Sequence, residues 1–112
     1  MSLAETYQVR LYLSGPIEVA KQVLRRECLR EGLCVTIEPT TYIYTGGEEV
    51  GYVIGLLNYP RFPSTPDAIT ARADMIGKLL LAETSQHSYL LITPEVTKWF
   101  SLRDSPAQRE AK

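Results

Sequence analysis

Residues 50–57, VGYVIGLL, are the stretch of sequence that decides the fold. Read as a strand, this stretch is apolar on both sides, with Tyr52, Ile54 and Leu56 on one and Val53 and Leu57 on the other. A strand of this kind lies in the interior of a sheet and is covered on both faces. We therefore place it at the centre of the predicted sheet.

The residues before this strand predict a hairpin. Thr45-Gly46-Gly47-Glu48 is typical of a hairpin turn, because paired glycines supply the positive φ angles that such turns require. The partner strand runs over 33–37 and 40–45, with Pro39 between the two parts. Because proline donates no backbone hydrogen bond to a ladder, we expect this strand at an edge of the sheet or with a bulge.

Four further segments complete the pattern. Residues 7–13 alternate in polarity and predict the first strand. Apolar residues at helical spacing predict a helix over 16–31 and another over 66–84, which Thr65 would cap. Residues 87–93 predict a fourth strand that Pro94 ends, and 97–102 are either a short helical turn or a strand extension.

The order strand, helix, strand, strand, helix, strand predicts an α+β, ferredoxin-like βαββαβ fold. Its four-stranded antiparallel sheet would carry both helices on one face, with the first and third strands in the middle. We expect one domain over 7–102, after a leader over 1–6 and before a polar tail over 103–112.

This architecture leaves the second face of the sheet without helices. Tyrosine and leucine side chains would remain there, and a monomer rarely leaves so large an apolar area in water. We therefore expect the chain to partner with itself, as a dimer or a trimer.

Composition excludes several classes of protein. The formal net charge of −1 argues against nucleic acid as a partner. No apolar run reaches the roughly 20 residues that a membrane span needs, so we expect no membrane segment. The first residues do not resemble a signal peptide, which predicts a cytoplasmic protein. Two cysteines and one histidine are a poor metal set, and we expect neither metal nor cofactor.

Two segments are candidate ligand-binding sites. The first is the hairpin tip, where glycine amides could approach a ligand; the alternative is a simple turn. The second follows the central strand and mixes aromatic, proline and arginine residues, as binding hot spots do; the alternative is a stiff connector. The candidate ligand-binding residues are Thr45, Gly46, Gly47 and Glu48 at the tip and Asn58, Tyr59, Arg61 and Phe62 in the second segment.

Strand direction sorts the loops into two ends of the sheet. One end gathers Ser14, the hairpin tip with Glu48 and Glu49, and His87, the only histidine. A histidine near carboxylates could act as a general acid or base. The alternative is that His87 is simply a polar residue at the start of a strand. We expect the other end to gather residues 58–63 and Trp99.

The sequence resembles the CutA family over part of its length. The resemblance rests on a helix beginning Glu18-Val19-Ala20 that leads to Gly32-Leu33-Cys34-Val35, followed by Ile43-Tyr44, Gly46-Gly47-Glu48 and a closing Trp99. It implies a ferredoxin-like trimer related in form to PII signalling proteins. We do not extend the family's metal binding to this chain, because residues 58–63 and 86–88 depart from the pattern.

Three functions agree with these observations. The first hypothesis is a non-enzymatic, homo-oligomeric module that binds a small ligand or regulates a partner. The second is a small enzyme that uses His87 as general acid or base with Ser14 and either Glu48 or Glu49. The third is a protein–protein adaptor encoded by a phage or its host.

Overall fold

Five strands and two helices follow one another along residues 1–103, the part of the chain that this computed structural model describes. In chain order they are β1 (Gln8–Ser14), α1 (Ile17–Arg30), β2 (Val35–Tyr44), β3 (Gly47–Leu57), α2 (Pro66–Thr84), β4 (Ser88–Ile92) and β5 (Thr97–Ser101). The polar tail predicted over 103–112 lies, from residue 104 onward, outside the described residues. Neither helix of the described part is long and apolar enough to cross a membrane.

All neighbouring strands of the sheet are antiparallel, in the order β2-β3-β1-β4-β5. The predicted central position of β3 is confirmed, and so is the edge position of β2, whose Pro39 lies on its ladder with Tyr52. Placing β2 at an edge leaves one side of its backbone unpaired, which is where proline is tolerated.

The prediction of four strands is wrong, because the chain forms β5 beyond β4. Pro94 ends β4 as expected, but the chain reverses there. The Thr93 hydroxyl accepts hydrogen bonds from the backbone N–H groups of Glu95 (3.2 Å) and Val96 (2.9 Å). The Thr93 N–H donates to the Val96 carbonyl oxygen at 2.9 Å and closes the turn. The sheet therefore has a fifth strand, β5, at the edge opposite β2.

The hairpin formed by β2 and β3 extends beyond the end of β1. Its turn is Thr45-Gly46, and only Gly46 has a positive φ, 91°, whereas Gly47 already belongs to β3. Because β1 pairs with β3 only as far as Ser14 opposite Gly51, residues 41–50 project beyond β1 as a two-stranded arm. We call these ten residues the hairpin arm; its Ile43, Tyr44 and Val50 are exposed.

One face of the sheet and both helices share a single hydrophobic core, as predicted for helices on one face. The strands contribute alternate residues of β1, β3 and β4, and the helices contribute their apolar sides. Each large aliphatic side chain buried in this way stabilises the fold by about 1.5–3 kcal/mol. The core includes Val9, Leu11, Leu13, Tyr52, Ile54, Leu56, Tyr89 and Leu91 from the sheet and Ala20, Val23, Leu24, Ile69, Ala73, Ile76 and Leu80 from the helices.

Tyr89 joins β5 to this core. Its ring stacks on Phe100 of β5 at a centroid distance of 5.3 Å, and its hydroxyl donates a hydrogen bond to the Asp74 carboxylate of α2. Gly77 of α2 faces the same ring, and a Cβ there would lie within 2.8 Å of it. The stacking of Phe100 on Tyr89 holds β5 in register with β4.

Within residues 1–103 no helix covers the opposite face of the sheet, and we call it the open face. Its apolar side chains are only partly shielded from water: Leu57 is 38% exposed and Trp99 is 53% exposed. Tyr12, Val53, Leu90 and Ile92 lie on the same face and are half-buried.

Two glycines of β3 on this face give a matched test of its packing. At Gly51 a Cβ would clash with the Leu13 carbonyl oxygen and with the Tyr42 ring, at 2.5 Å. At Gly55 it would meet only the Thr36 hydroxyl, at 2.5 Å, which can rotate away. We expect Gly51→Ala to lower the free energy of unfolding by about 1–3 kcal/mol.

The control, Gly55→Ala, should stay within about 1 kcal/mol of the wild type, because alanine also favours the strand over glycine. Urea denaturation measures both variants. Equal losses of stability at the two positions would contradict the assigned packing of Tyr42 over Gly51.

Candidate functional site

A shallow hollow of about 180 Å³ lies on the open face, where β1 ends and the hairpin arm begins. Aromatic rings, two hydroxyl groups and one carboxylate surround it. The lining residues on the open face are Tyr12, Ser14, Tyr42, Glu49, Ser88, Leu90 and Trp99, and we call them the open-face site.

Strand register brings these residues together from all five strands. Glu49 of β3 lies directly opposite Tyr42 of β2, and Ser14 of β1 lies beside them opposite Gly51. Because side chains alternate between the faces of a sheet, all three point to the open face. Trp99 reaches the same place through β5, where it pairs with Leu90.

A hydrogen bond fixes the carboxylate of the site. The Ser14 hydroxyl donates to Glu49 Oε1 at 2.9 Å. This bond joins β1 to the base of the hairpin arm and holds one negatively charged group among aromatic rings. A carboxylate placed in this way can attract a cation or accept hydrogen bonds from the hydroxyl groups of a ligand.

Tyr42 forms a rigid wall of the site. Its ring lies over Gly51, and its hydroxyl donates to the Leu13 carbonyl oxygen at 2.9 Å. Burial, with smaller contributions from Tyr12 and Glu49, raises the pKa of Tyr42 to about 12. The phenol therefore stays neutral near neutral pH, where it offers an aromatic face to a ligand.

A second concavity lies at the opposite end of the sheet, between the end of α1, the start of β2, the segment after β3, and α2. This cleft of about 800 Å³ is mostly apolar. Cys34 donates its thiol hydrogen to the Tyr59 hydroxyl oxygen at 3.4 Å. We call this cavity the helix-end cleft.

The four ligand-binding residues predicted in the second segment have different surroundings in the structure. Tyr59 and Phe62 line the helix-end cleft. Asn58 fixes the segment after β3 through its side chain. The side-chain amide donates to the Glu5 carbonyl oxygen at 2.8 Å, and its oxygen accepts from the Ser64 N–H at 2.9 Å. Arg61 is exposed, with its guanidinium 5.8 Å from the centre of the Phe62 ring.

The predicted residues of the hairpin tip, Thr45, Gly46, Gly47 and Glu48, are exposed and line neither concavity. The Tyr44 ring covers Gly47, where a Cβ would come within 3.3 Å of it. The tip itself is a turn. The hydrogen bond with Ser14 is made by Glu49, the residue that follows the predicted tip residues.

The residues predicted as a catalytic group are brought together only in part. Of the two candidate carboxylates, Glu49 accepts a hydrogen bond from Ser14, whereas Glu48, the residue before it in β3, points to the other side of the hairpin. His87 is exposed before β4, and its carbonyl oxygen accepts from the Leu102 N–H at 2.8 Å. The hydrogen bonds of residues 1–103 do not join the His87 side chain to Ser14 or Glu48.

Sequence reasoning missed three aromatic members of the open-face site, Tyr12, Tyr42 and Trp99. The expected grouping of Trp99 with residues 58–63 is wrong, because the reversal after Pro94 returns the chain along β4. Only the register of β1, β2 and β3 shows that Tyr12 and Tyr42 lie on the same face of the sheet. Within residues 1–103, no three His, Cys, Asp or Glu side chains form a group that could hold a metal ion.

The buried tyrosines predict how stability depends on alkaline pH. Burial raises the pKa values of Tyr42 and Tyr52 to about 12 from the ordinary 10.0, and burial with the Asp74 contact also raises that of Tyr89. The neutral phenols are therefore favoured in the folded state. Their contribution is complete below pH 10 and is lost as the pH rises through 12.

We expect the urea midpoint to fall between pH 10 and pH 12, and the fall to be smaller in Tyr42→Phe than in the wild type. Denaturation at pH 8, 10 and 11.5 measures this. An equal decline in the two proteins would contradict the burial of the Tyr42 hydroxyl.

No protein-family model matches the sequence, and neither does any curated protein. Two solved structures are similar to the fold. A phage SAM lyase in complex with S-methyl-5′-thioadenosine aligns with a TM-score of 0.67 and 14% identity, over 90% of this chain and 93% of that one. A phage SAM lyase in the apo state aligns with a TM-score of 0.64 and 14% identity, over 93% and 99%. At this identity, the likeness shows a shared α+β fold.

Proposed function

We propose that this protein binds an adenosyl sulfonium or thioether, of the class of S-adenosylmethionine (SAM) and S-methyl-5′-thioadenosine, at the open-face site. The observation that carries the proposal is the Glu49 carboxylate, held by Ser14 at 2.9 Å and surrounded by aromatic rings. The likeness to a SAM lyase supports the ligand class but does not by itself transfer function.

The chemistry of the ligand fits the residues of the site. A sulfonium is a cation, which a carboxylate and aromatic faces attract. An adenine ring stacks on flat side chains such as Tyr12, Tyr42 and Trp99. A ribose offers hydroxyl donors to Glu49. The helix-end cleft suits this cation less well, because the Arg72 guanidinium lines it.

The same residues support a homo-oligomer, a dimer or trimer, with the ligand between copies. The hollow of about 180 Å³ is smaller than the roughly 300 Å³ at which ligand pockets begin. One chain thus supplies only part of a site. The open face around it is apolar, so a second copy could both complete the pocket and shield this surface.

Two classifications go with this proposal. We propose that β1 to β4 and the two helices form a ferredoxin-like unit to which β5 is added at the edge. The resemblance to the CutA family stays a prediction from the sequence, and so do the adaptor hypothesis and the enzyme using His87.

A second candidate function, cleavage of SAM, is favoured by one observation. Glu49 is a fixed carboxylate at the place where the sulfonium would bind, where it could act as a base. Removal of a proton from the carbon next to the S-bound carbon of the aminobutyrate chain would form a C=C bond as the C–S bond breaks, which releases S-methyl-5′-thioadenosine and an unsaturated amino acid. Formation of S-methyl-5′-thioadenosine from SAM by the purified protein would support it, and loss of that activity in Glu49→Gln would assign the residue.

The single tryptophan of the chain, Trp99, gives the binding test a built-in probe, because it lies in the open-face site. Titration with SAM should change its fluorescence in a saturable way. We expect Glu49→Gln to weaken SAM binding about tenfold or more, since a hydrogen bond to a charged group contributes about 1.5–3 kcal/mol. The neutral S-methyl-5′-thioadenosine should be affected less.

The matched control is Glu48→Gln, which makes the same change one residue away on the other side of the hairpin arm. It should bind both ligands as the wild type does. An unchanged Trp99 signal at millimolar ligand, or equal losses in the two variants, would overturn the proposal.

A further inference from the structure

We propose that the helix-end cleft is a second ligand site, which binds a small molecule with an apolar body and a carboxylate head. The cleft lies at the end of the sheet opposite the hairpin arm and shares no lining residue with the open-face site. The inference therefore stands or falls independently of the proposed function.

The walls of the cleft suit an apolar body. Its volume of about 800 Å³ is within the roughly 300–1,000 Å³ of small-molecule pockets. Aliphatic and aromatic side chains supply most of the lining, with few polar groups among them, as such pockets require. The apolar lining residues are Leu33, Leu56, Leu57, Phe62, Ile69 and Met75.

One arginine in the lining is only partly paired. Arg72 of α2 contacts Glu31 Oε1 through Nη1 at 3.4 Å, whereas its Nε and Nη2 are buried and have no hydrogen-bond partner within residues 1–103. The N–H groups of Nε and Nη2 point the same way on the planar guanidinium and match the two oxygens of a carboxylate. Each buried donor left unpaired costs about 1–3 kcal/mol, so a ligand that satisfies both gains that energy.

The neighbouring carboxylates, Glu27 and Glu31, do not meet this need, because Arg30 of α1 already binds them. Arg30 donates to Glu27 at 3.1 and 2.8 Å and to Glu31 at 3.1 Å. The positive charge of Arg72 is therefore balanced by a nearby carboxylate, but its Nε and Nη2 still lack a hydrogen-bond acceptor within residues 1–103. The Arg72 side chain is 21% exposed. In the proposed complex, rotation about its last side-chain bonds turns the buried Nε–Nη2 edge toward the ligand.

The test uses three ligands with one tail and three head groups: decanoate, decan-1-ol and decylammonium, each below its micelle concentration. Isothermal titration calorimetry should show decanoate binding at least tenfold tighter than decan-1-ol, and decylammonium weakest. Arg72→Met keeps the length of the side chain and should remove the preference for decanoate over decan-1-ol. The control, Arg25→Met, changes an exposed arginine of α1 outside the cleft and should keep it.

A second variant keeps the test decisive if Arg72→Met folds poorly. Ala71→Trp places a large ring on the exposed rim of the cleft and should weaken all three ligands while the melting temperature stays near that of the wild type. Equal affinity for the three head groups, or decanoate binding that survives both variants, would overturn the inference.

Discussion

The structure depends on one constraint: a single layer of two helices can cover only one face of a five-stranded sheet. That face buries the alternate residues of β1, β3 and β4 and supplies the core. The other face keeps Val53, Leu57, Leu90 and Trp99 partly in contact with water. Because apolar surface of this extent is unfavourable in water, the open face is where we expect another molecule to bind.

The same constraint explains why the candidate site lies where it does. Alternation along the strands sends every second residue to the open face, so Ser14, Tyr42 and Glu49 meet there at the base of the hairpin arm. Gly51 leaves the space that the Tyr42 ring fills. A polar, aromatic hollow thus lies within an apolar surface, and a second copy of the chain that covered the surface would also enclose the hollow.

Much of the fold could be predicted from local pattern, because residues 50–57 are apolar on both sides and the apolar residues of the two helices recur at helical spacing. β5 could not be assigned, because Pro94 indicates an end to a strand but not the reversal made by the Thr93 hydroxyl. Strand direction predicted the proximity of Ser14 to the hairpin, but the choice between Glu48 and Glu49 required the register. The unpaired donors of Arg72 depend on the packing of α1 against α2, which no local pattern reports.

Sedimentation equilibrium at micromolar protein tests the central claim most directly, because it measures whether the open face is shielded by copies of the chain. The account predicts two or three times the mass of one chain, with dissociation when Leu90 on the open face is replaced by lysine. A mass of one chain at every concentration, with a wild-type open face left in water, would contradict it.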